Sequence, residues 1–492
     1  MKRHFVNVMI SMLIILNISA CASLSQSDEP TPMLTQSTLT PTLSRVIETP
    51  LASRTPLPSI SPALALTALE GPLLLIQTGF DEYQILSPKT QLSIPVELPV
   101  PDPQFRLNAN LSPSGRQMFF PQDDETGLII DMKTAEVITI YDYRGPSYFK
   151  PELAAIEARA YVAEADYSDE YLLELIMQAY QQSKQILRWY HSDRYHLSVQ
   201  DADEISTALF LDDHQTGDRL RLDDQPGLVK DFWVGPDGNL ILLEKGFIFE
   251  PGAWQDNHYY LINVADQTTQ PVPLPDEVKN PALSWFSEDT IGVIHQISML
   301  GGSGFSTINT GSMESKQVIE GHFTQFRRMG DFLFLIRWDS QSGSTLLELL
   351  TLEGETISTQ PIDARCNIHT RVSNKIILNC EVESLQVDMD LNSEPFGDPV
   401  QILSPAPNGS IMVLVDRLEH SALLDGQMQL KDELALEGAP LEIRWLPDSS
   451  GFLYRTFGKL YFYDLISKAG YLVLESDLFS DYPNINGVWV DP

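Results

Sequence analysis

Short apolar runs separated by tight polar turns recur along most of this chain, most clearly near its C-terminal end. Residues 443–454 read as a strand, a turn built on Pro447 and Asp448, and a second, strongly apolar strand; residues 460–465 add a third strand ending in Asp464. Proline presets φ for a turn and Asp, Asn or Gly closes it, while the flanking β-branched and aromatic runs form strands. The pattern therefore predicts repeated β-hairpins.

Weaker copies of this pattern recur at intervals of roughly forty residues, the spacing expected of propeller blades. They begin at or near Leu111, Trp233, Leu283, Phe326, Ile368 and Leu403. One hairpin cannot bury its apolar faces alone, so several must stack around an axis. We predict an all-β fold, a β-propeller of eight blades, with seven and nine as alternatives that depend on whether residues 195–224 form a full blade.

The turns resemble the TolB-type, WD40-like β-propeller repeat, whose turn reads Trp-Ser-Pro-Asp-Gly. The resemblance covers most of the chain from about residue 70 onward and is closest near Trp445, Trp233 and Leu111. Trp233, Trp285 and Trp445 stand at repeat positions. We predict that they pack between blades, with ligand stacking as the alternative.

Two regions depart from the repeat. Residues 150–192 are rich in Ala and Glu and have apolar residues at helical spacing, so they predict a helical insertion. The insertion either covers exposed strand edges or serves as a lid or docking surface. Residues 486–492 read as a first strand without its partners, and residues 73–76 and 83–86 as later strands without a start. Joining the two ends would close the ring.

The N-terminal segment carries export signals. Lys2 and Arg3 precede a short apolar stretch, and residues 18–21 match the cleavage box of bacterial lipoproteins, which attach a lipid to the cysteine, here Cys21. The alternative is an ordinary secretory signal. Residues 22–62 hold eight Ser, seven Thr and seven Pro, the composition of an extended stalk. We predict a signal peptide over 1–21, a disordered stalk over 22–62 and a propeller over 70–492, anchored to the extracytoplasmic side of the cell membrane.

The other two cysteines are predicted to form a disulfide. Cys366 and Cys380 flank residues 372–374 symmetrically, so a hairpin turning at Ser373 would place them opposite each other. Export exposes them to oxidising conditions. The alternative is a pair of buried free thiols.

Charge narrows the choice of partners. The chain carries 67 acidic and 32 basic residues, a net charge of −35. Nucleic acid and anionic lipid headgroups require a basic surface, so neither is expected as a partner. Charged partners would be basic proteins, cationic ligands or metal ions, unless the acidity only maintains solubility.

We find no catalytic motif, and predict no cofactor and no metal site. Residues 301–304 lack the last glycine of a serine-nucleophile elbow, because Phe305 stands there, and they read as a flexible loop. His191 and His196 are poorly spaced for a metal and are expected at the surface. The acidic doublets at 123–124, 212–213 and 223–224 fit no calcium loop and are expected to be solvated turn residues.

These observations predict a monomeric binding platform for a protein, peptide or glycan, and not an enzyme. The first alternative is a propeller enzyme, a glycan hydrolase or lyase, with carboxylates or histidines converging in the central channel. The second is a structural protein of envelope assembly.

Overall fold

The computed structural model describes residues 73–77, 83–88, 90, 92–96, 110–114, 116–121, 126–131, 137–142, 149–161, 489–490 and, apart from gaps at 185, 247–256, 275–277, 279–280, 296, 299–300, 340–341, 364 and 373, residues 168–475. The predicted signal peptide, Cys21 and the stalk lie outside these residues. No helix in the described part of the chain is long and apolar enough to cross a bilayer.

The described residues are mostly β-structure, in nine antiparallel sheets in which consecutive strands pair in a meander. Sheet 1 contains β1 (Leu73–Gln77), β2 (Tyr83–Ser87), β3 (Leu92–Val96) and the last strand, β37 (Trp489–Val490). Sheet 2 contains β4 (Asn110–Leu111), β5 (Gln117–Pro121), β6 (Thr126–Asp131) and β7 (Val137–Asp142). Sheet 3 contains β8 (Leu187–Tyr190), β9 (Ser192–Asp201), β10 (Thr207–Asp213) and β11 (Asp218–Arg221).

The middle sheets follow the same plan. Sheet 4 contains β12 (Leu228–Val234), β13 (Leu240–Gly246), β14 (His258–Asn263) and β15 (Thr268–Pro271). Sheet 5 has five strands: β16 (Ala282–Ser287), β17 (Thr290–Ile294), β18 (Ile297–Ser298), β19 (Gly301–Asn309) and β20 (Ser315–Phe323). Sheet 6 contains β21 (Gln325–Met329), β22 (Phe332–Asp339), β23 (Ser344–Thr351) and β24 (Thr356–Ile362).

The last three sheets complete the described fold. Sheet 7 contains β25 (Asn367–Val372), β26 (Lys375–Asn379), β27 (Ser384–Val387) and β28 (Ser393–Gly397). Sheet 8 contains β29 (Val400–Pro405), β30 (Ile411–Asp416), β31 (Ser421–Asp425) and β32 (Leu430–Leu434). Sheet 9 contains β33 (Glu442–Trp445), β34 (Gly451–Thr456), β35 (Lys459–Asp464) and β36 (Ala469–Glu475). Four-stranded antiparallel sheets of this kind fit the predicted β-propeller.

The described residues form nine sheets, where the sequence favours eight blades. The additional one is sheet 3, in the region that the repeat pattern left undecided. Its first turn has no Pro-Asp-Gly sequence: His191 bridges β8 and β9 with φ of 60°. The repeat pattern misses this sheet because it turns with different residues, and the number of blades stays a prediction.

The turns that carry the repeat pattern have the expected geometry. Side-chain oxygens of Asp237, Asn408 and Asp448 accept hydrogen bonds from the backbone N–H two residues on, at 3.0, 2.9 and 3.0 Å. In the third turn Ser449 adopts φ of 58°, the left-handed region that the other two turns give to glycine. Local turn chemistry therefore explains why these copies are visible in the sequence.

The two ends of the described chain share a sheet. Leu73 pairs with Val490 and Leu74 with Trp489, so β37 adds to the edge of β1 as the sequence predicts. Closure of the whole ring stays a prediction.

The apolar core lies between neighbouring sheets. Phe334 and Ile336 of β22, for example, pack with Ile376 and Leu378 of β26, and none of these side chains is more than 1% exposed. Each sheet buries its apolar faces only when another sheet packs against it, which is the physical basis of the repeat.

Two helices lie inside the predicted insertion: α1 (Pro151–Tyr161) and α2 (Asp169–Lys184). The Ser168 hydroxyl accepts the Tyr171 N–H at 3.3 Å and caps α2. The apolar face of the pair packs on Leu228 at the start of β12, while Ile156 of α1 stays 67% exposed. The insertion ends before residue 192, because residues 187–190 already form β8.

Residues 301–304 are not the flexible loop that we predicted. They begin β19, and a Cβ at Gly304 would lie only 2.6 Å from the His295 ring. Glycine at this position therefore leaves room for the His295 ring against the strand.

The predicted disulfide between Cys366 and Cys380 is present. Asn367 pairs with Asn379 at the outer end of the β25–β26 hairpin, and the cysteines continue that register by one residue. The register shifts by one residue between Ile368 and Thr370, so this opposition depends on that irregularity as well as on the spacing in the sequence.

Candidate functional site

The repeat tryptophans join neighbouring sheets. The indole Nε1–H of Trp285 in β16 donates to the Trp233 carbonyl in β12, and that of Trp445 in β33 donates to the Ser404 carbonyl in β29, both at 3.0 Å. Trp445 is 7% exposed. These contacts support inter-blade packing rather than ligand stacking.

Other links join the first strand of one sheet to the first strand of the next. In β21, the Arg328 guanidinium donates to the Phe286 carbonyl in β16, and Gln325 Oε1 accepts the Ile368 N–H of β25 at 2.6 Å. The Arg188 guanidinium of β8 pairs with Asp231 of β12 at 2.6 Å. Strands β4 and β8 also lie against each other. First strands can meet in this way only where the sheets converge, at the axis of a propeller.

We call the first strands of sheets 2–9 the axial strands: β4, β8, β12, β16, β21, β25, β29 and β33. Their charge is opposite to that of the chain. They carry six Lys or Arg and two Asp or Glu, whereas the whole chain has 32 and 67. The basic residues are Arg188, Lys230, Arg327, Arg328, Arg371 and Arg444. The axial strands thus carry more basic than acidic residues, and three of the basic ones, Arg188, Lys230 and Arg444, have carboxylate partners in Asp231, Glu244 and Glu442.

The positive charge is densest where β21 meets β25. Arg327, Arg328, His369 and Arg371 are all half-buried there. Burial, together with the positive charge of Arg327, lowers the pKa of His369 below its usual value. Both effects favour the neutral form of the His369 imidazole. Guanidinium and imidazole groups together offer donors to an anion, and arginine matches the geometry of a carboxylate.

The prediction that His196 lies at the surface is wrong. His196, expected at the surface, is fully buried on β9, and its Nε2 lies 3.4 Å from Asp212 Oδ2. Burial alone would raise the pKa of Asp212, but hydrogen bonds and charge from His196, Ser198 and Arg219 lower it to about 2. The sequence could not reveal this, because Asp212 faces His196 only through the β9–β10 register.

The prediction that the acidic doublets are solvated turn residues is wrong for Asp212, Asp213 and Asp223. Asp212 and Asp213 are buried in β10, and the Asp213 carboxylate pairs with Arg194 at 2.8 Å. The Asp223 carboxylate is fully buried and lies 2.7 Å from Lys245 Nζ, whereas Asp224 is exposed. Partners distant in sequence satisfy these buried charges. The doublet at 123–124 lies outside the described residues.

One group of side chains in the described part of the chain could hold a metal ion: Asp398, Asp416 and His420. A donor atom of each lies within 4.8 Å of the others. The sequence pattern does not reveal this group. The signal available in the sequence is the four-residue spacing of Asp416 and His420 at a strand end. Asp398 cannot be recognised with them, because it lies in the connection that precedes β29.

No protein-family model matches the chain, and no curated protein matches it in sequence. Solved structures do resemble it. A eukaryotic initiation factor aligns with TM-score 0.51 and 13% identity, over 86% of this chain and all of that one. Porphyromonas gingivalis dipeptidyl peptidase 4 aligns with TM-score 0.45 and 9% identity, over 75% of this chain and 60% of the peptidase. The dihydro-heme d1 dehydrogenase NirN aligns with TM-score 0.40 and 11% identity, over 86% of this chain and 76% of the dehydrogenase.

These similarities support a β-propeller and, at such low identity, show the fold alone. They also correct one prediction. The similar structures include a dipeptidyl peptidase, prolyl endopeptidases and a dehydrogenase, so the prediction that this chain is not an enzyme is wrong as drawn. A missing serine-nucleophile motif does not exclude catalysis on a scaffold that occurs in enzymes.

Proposed function

We propose that this protein is an extracytoplasmic β-propeller that binds an anionic ligand, a carboxylate-bearing peptide or glycan, where its axial strands converge. The observation that carries the proposal is the charge reversal: six basic and two acidic residues on the axial strands of a chain with net charge −35. A positive region between low-dielectric walls concentrates anions locally.

The chemistry of the axial side chains favours carboxylates. Arginine supplies a planar, permanently charged fork that can bond a carboxylate through two parallel hydrogen bonds. Arg327 and Arg371 lie on neighbouring strands that the Gln325–Ile368 hydrogen bond holds together. A rigid pair of strands keeps such donors in place before the ligand arrives, which reduces the entropic cost of binding.

Replacing both Arg327 and Arg371 by glutamine should weaken binding of a tetraglutamate peptide or trigalacturonate at least tenfold, because two charged hydrogen-bond donors are lost. Isothermal titration of the full chain measures the affinity, and rising salt should lower it. Tetraglutamine and maltotriose serve as neutral ligands.

The control is Arg116→Gln, which removes one positive charge, where the double variant removes two, from a side chain 66% exposed in the turn before β5. It should bind the anionic probes like the parent. Equal affinity for neutral and anionic probes, or an equal loss in the control, would contradict the proposal. Turnover of a bound probe would assign the same site to an enzyme.

The protein is also proposed to be anchored through a lipid on Cys21 and to work as a monomer held away from the membrane by residues 22–62. The lipoprotein-type sequence at 18–21 and the Ser, Thr and Pro content of the next segment support this. The TolB-like repeat type and a ring closed through β37 belong to the same proposal.

Replacing Cys21 by serine should move the protein from the membrane fraction to the soluble fraction, because no acyl chain can then attach. Fractionation with immunoblotting measures the shift. The control, Cys366→Ser with Cys380→Ser, should stay with the membrane. Membrane retention of the Cys21 variant would refute the anchor.

A further inference from the structure

The connections of sheet 8 bring together three side chains from two loops. Asp416 ends β30, His420 directly precedes β31, and Asp398 lies just before β29. In the antiparallel order of this sheet, all three positions fall at the same end. We propose that Asp398, Asp416 and His420 form a binding site for a divalent transition-metal ion, with Zn²⁺ as the best fit.

The distances suit one small ion. One donor atom of each residue lies within 4.8 Å of the other two, and His420 Nδ1 lies 3.1 Å from Asp416 Oδ2. Ligands of tetrahedral zinc lie at about 2.0–2.2 Å from the metal, so neighbouring donors are separated by about 3.3 Å. The pair is therefore already near the spacing that zinc requires.

The backbone fixes these positions. The Arg417 N–H donates to the Pro399 carbonyl at 2.9 Å and ties the Asp416 loop to the Asp398 loop. Asp416 Oδ1 accepts the N–H groups of Leu418 and His420, at 2.8 and 2.9 Å. Its other oxygen, Oδ2, is then directed towards the imidazole. The buried Asp416 carboxylate is thus pre-oriented, while Asp398 and His420 are exposed and reachable by an ion from solvent.

The donor set discriminates among metals. One imidazole nitrogen with two carboxylates suits zinc and related transition metals, whereas calcium takes six to eight oxygen ligands. Three protein ligands leave a fourth tetrahedral position for water or for an external ligand. The strongly acidic background of the chain raises the local concentration of cations. The site is distinct from the axial strands and independent of the anionic ligand proposed for them.

Isothermal titration of the full chain, freed of metal with EDTA, tests the site. We expect zinc to bind at one specific site and more tightly than calcium. His420→Ala and Asp398→Asn should each weaken zinc binding at least tenfold, and Co²⁺ should give a visible absorption band that both variants lose. Asp416 is left intact because its backbone contacts hold the loop.

Two controls match these changes. Glu419→Gln removes one negative charge from the same loop, and His322→Ala removes an exposed histidine from sheet 5. Both should bind zinc like the parent. The proposal is overturned by absence of zinc binding, by binding that His420→Ala and Asp398→Asn leave unchanged, by equal losses in the controls, or by a preference for calcium.

Discussion

Replacing Lys245 by methionine is expected to lower the free energy of unfolding by about 3–5 kcal/mol, because it leaves a buried carboxylate without its counterion. Lys245 of sheet 4 donates from Nζ to the Thr207 carbonyl of sheet 3 and to Asp223 Oδ1, each at 2.7 Å. The side chains of Lys245 and Asp223 are 1% and 0% exposed. The pair therefore bonds two sheets in a region that water does not reach, and methionine keeps the volume while removing the charge.

A second variant separates the charge effect from packing. Adding Asp223→Asn to Lys245→Met removes the uncompensated charge and keeps an oxygen for the Leu209 N–H, which the Asp223 carboxylate accepts at 2.6 Å. The double variant should therefore be more stable than Lys245→Met alone, as measured by urea unfolding followed by tryptophan fluorescence.

The surface pair Lys150–Glu204, with side chains 54% and 48% exposed, provides the control. Lys150→Met should change the unfolding free energy by less than about 1 kcal/mol, because exposed ion pairs contribute little. A Lys245→Met protein that unfolds at the same urea concentration as Lys150→Met would show that the buried pair does not hold sheets 3 and 4 together.

Loss of the Cys366–Cys380 disulfide is expected to have the next largest effect, about 3 kcal/mol. The bond closes a loop of 14 residues in sequence separation, and the chain-entropy account gives about this value for a loop of 15 residues. It also fixes β25, the axial strand that carries His369 and Arg371. Both cysteines are buried, so alanine is the substitution of choice.

Urea unfolding of the parent with and without reductant provides an internal control. Reductant should lower the midpoint of the parent and leave that of Cys366→Ala/Cys380→Ala unchanged. If reductant shifts both proteins equally, or neither, the bond does not contribute in the way described.

The sequence predicted what local chemistry determines. The turns at Asp237 and Asp448 were recognisable because each aspartate bonds a backbone N–H two residues away. The disulfide joins the two strands of one hairpin and was predictable from their closeness in sequence, whereas the one-residue register shift inside the hairpin was not. The helices followed from their apolar spacing, although β8 begins inside the predicted insertion.

The structural features that the sequence does not predict depend on contacts between residues far apart in the chain. Sheet 3 was undecided because its first turn uses His191 rather than a Pro-Asp-Gly sequence. Asp223 appeared to be a solvated residue because its counterion, Lys245, lies 22 residues further on and in the next sheet.

The axial charge was hidden for the same reason. Arg188, the pair Arg327–Arg328 and Arg371 are scattered along an acidic chain, and only the convergence of the first strands brings such residues together. The overall charge of −35 suggested cationic partners, whereas the arrangement of the strands favours an anionic one.

The most direct test of an anion site at the axis is a crystal structure of the full chain grown with tetraglutamate. The account predicts a ligand carboxylate at hydrogen-bonding distance, about 3 Å, from the guanidinium of Arg327 or Arg371. Ligand bound instead on the helices α1 and α2, or elsewhere away from the axial strands, would contradict it.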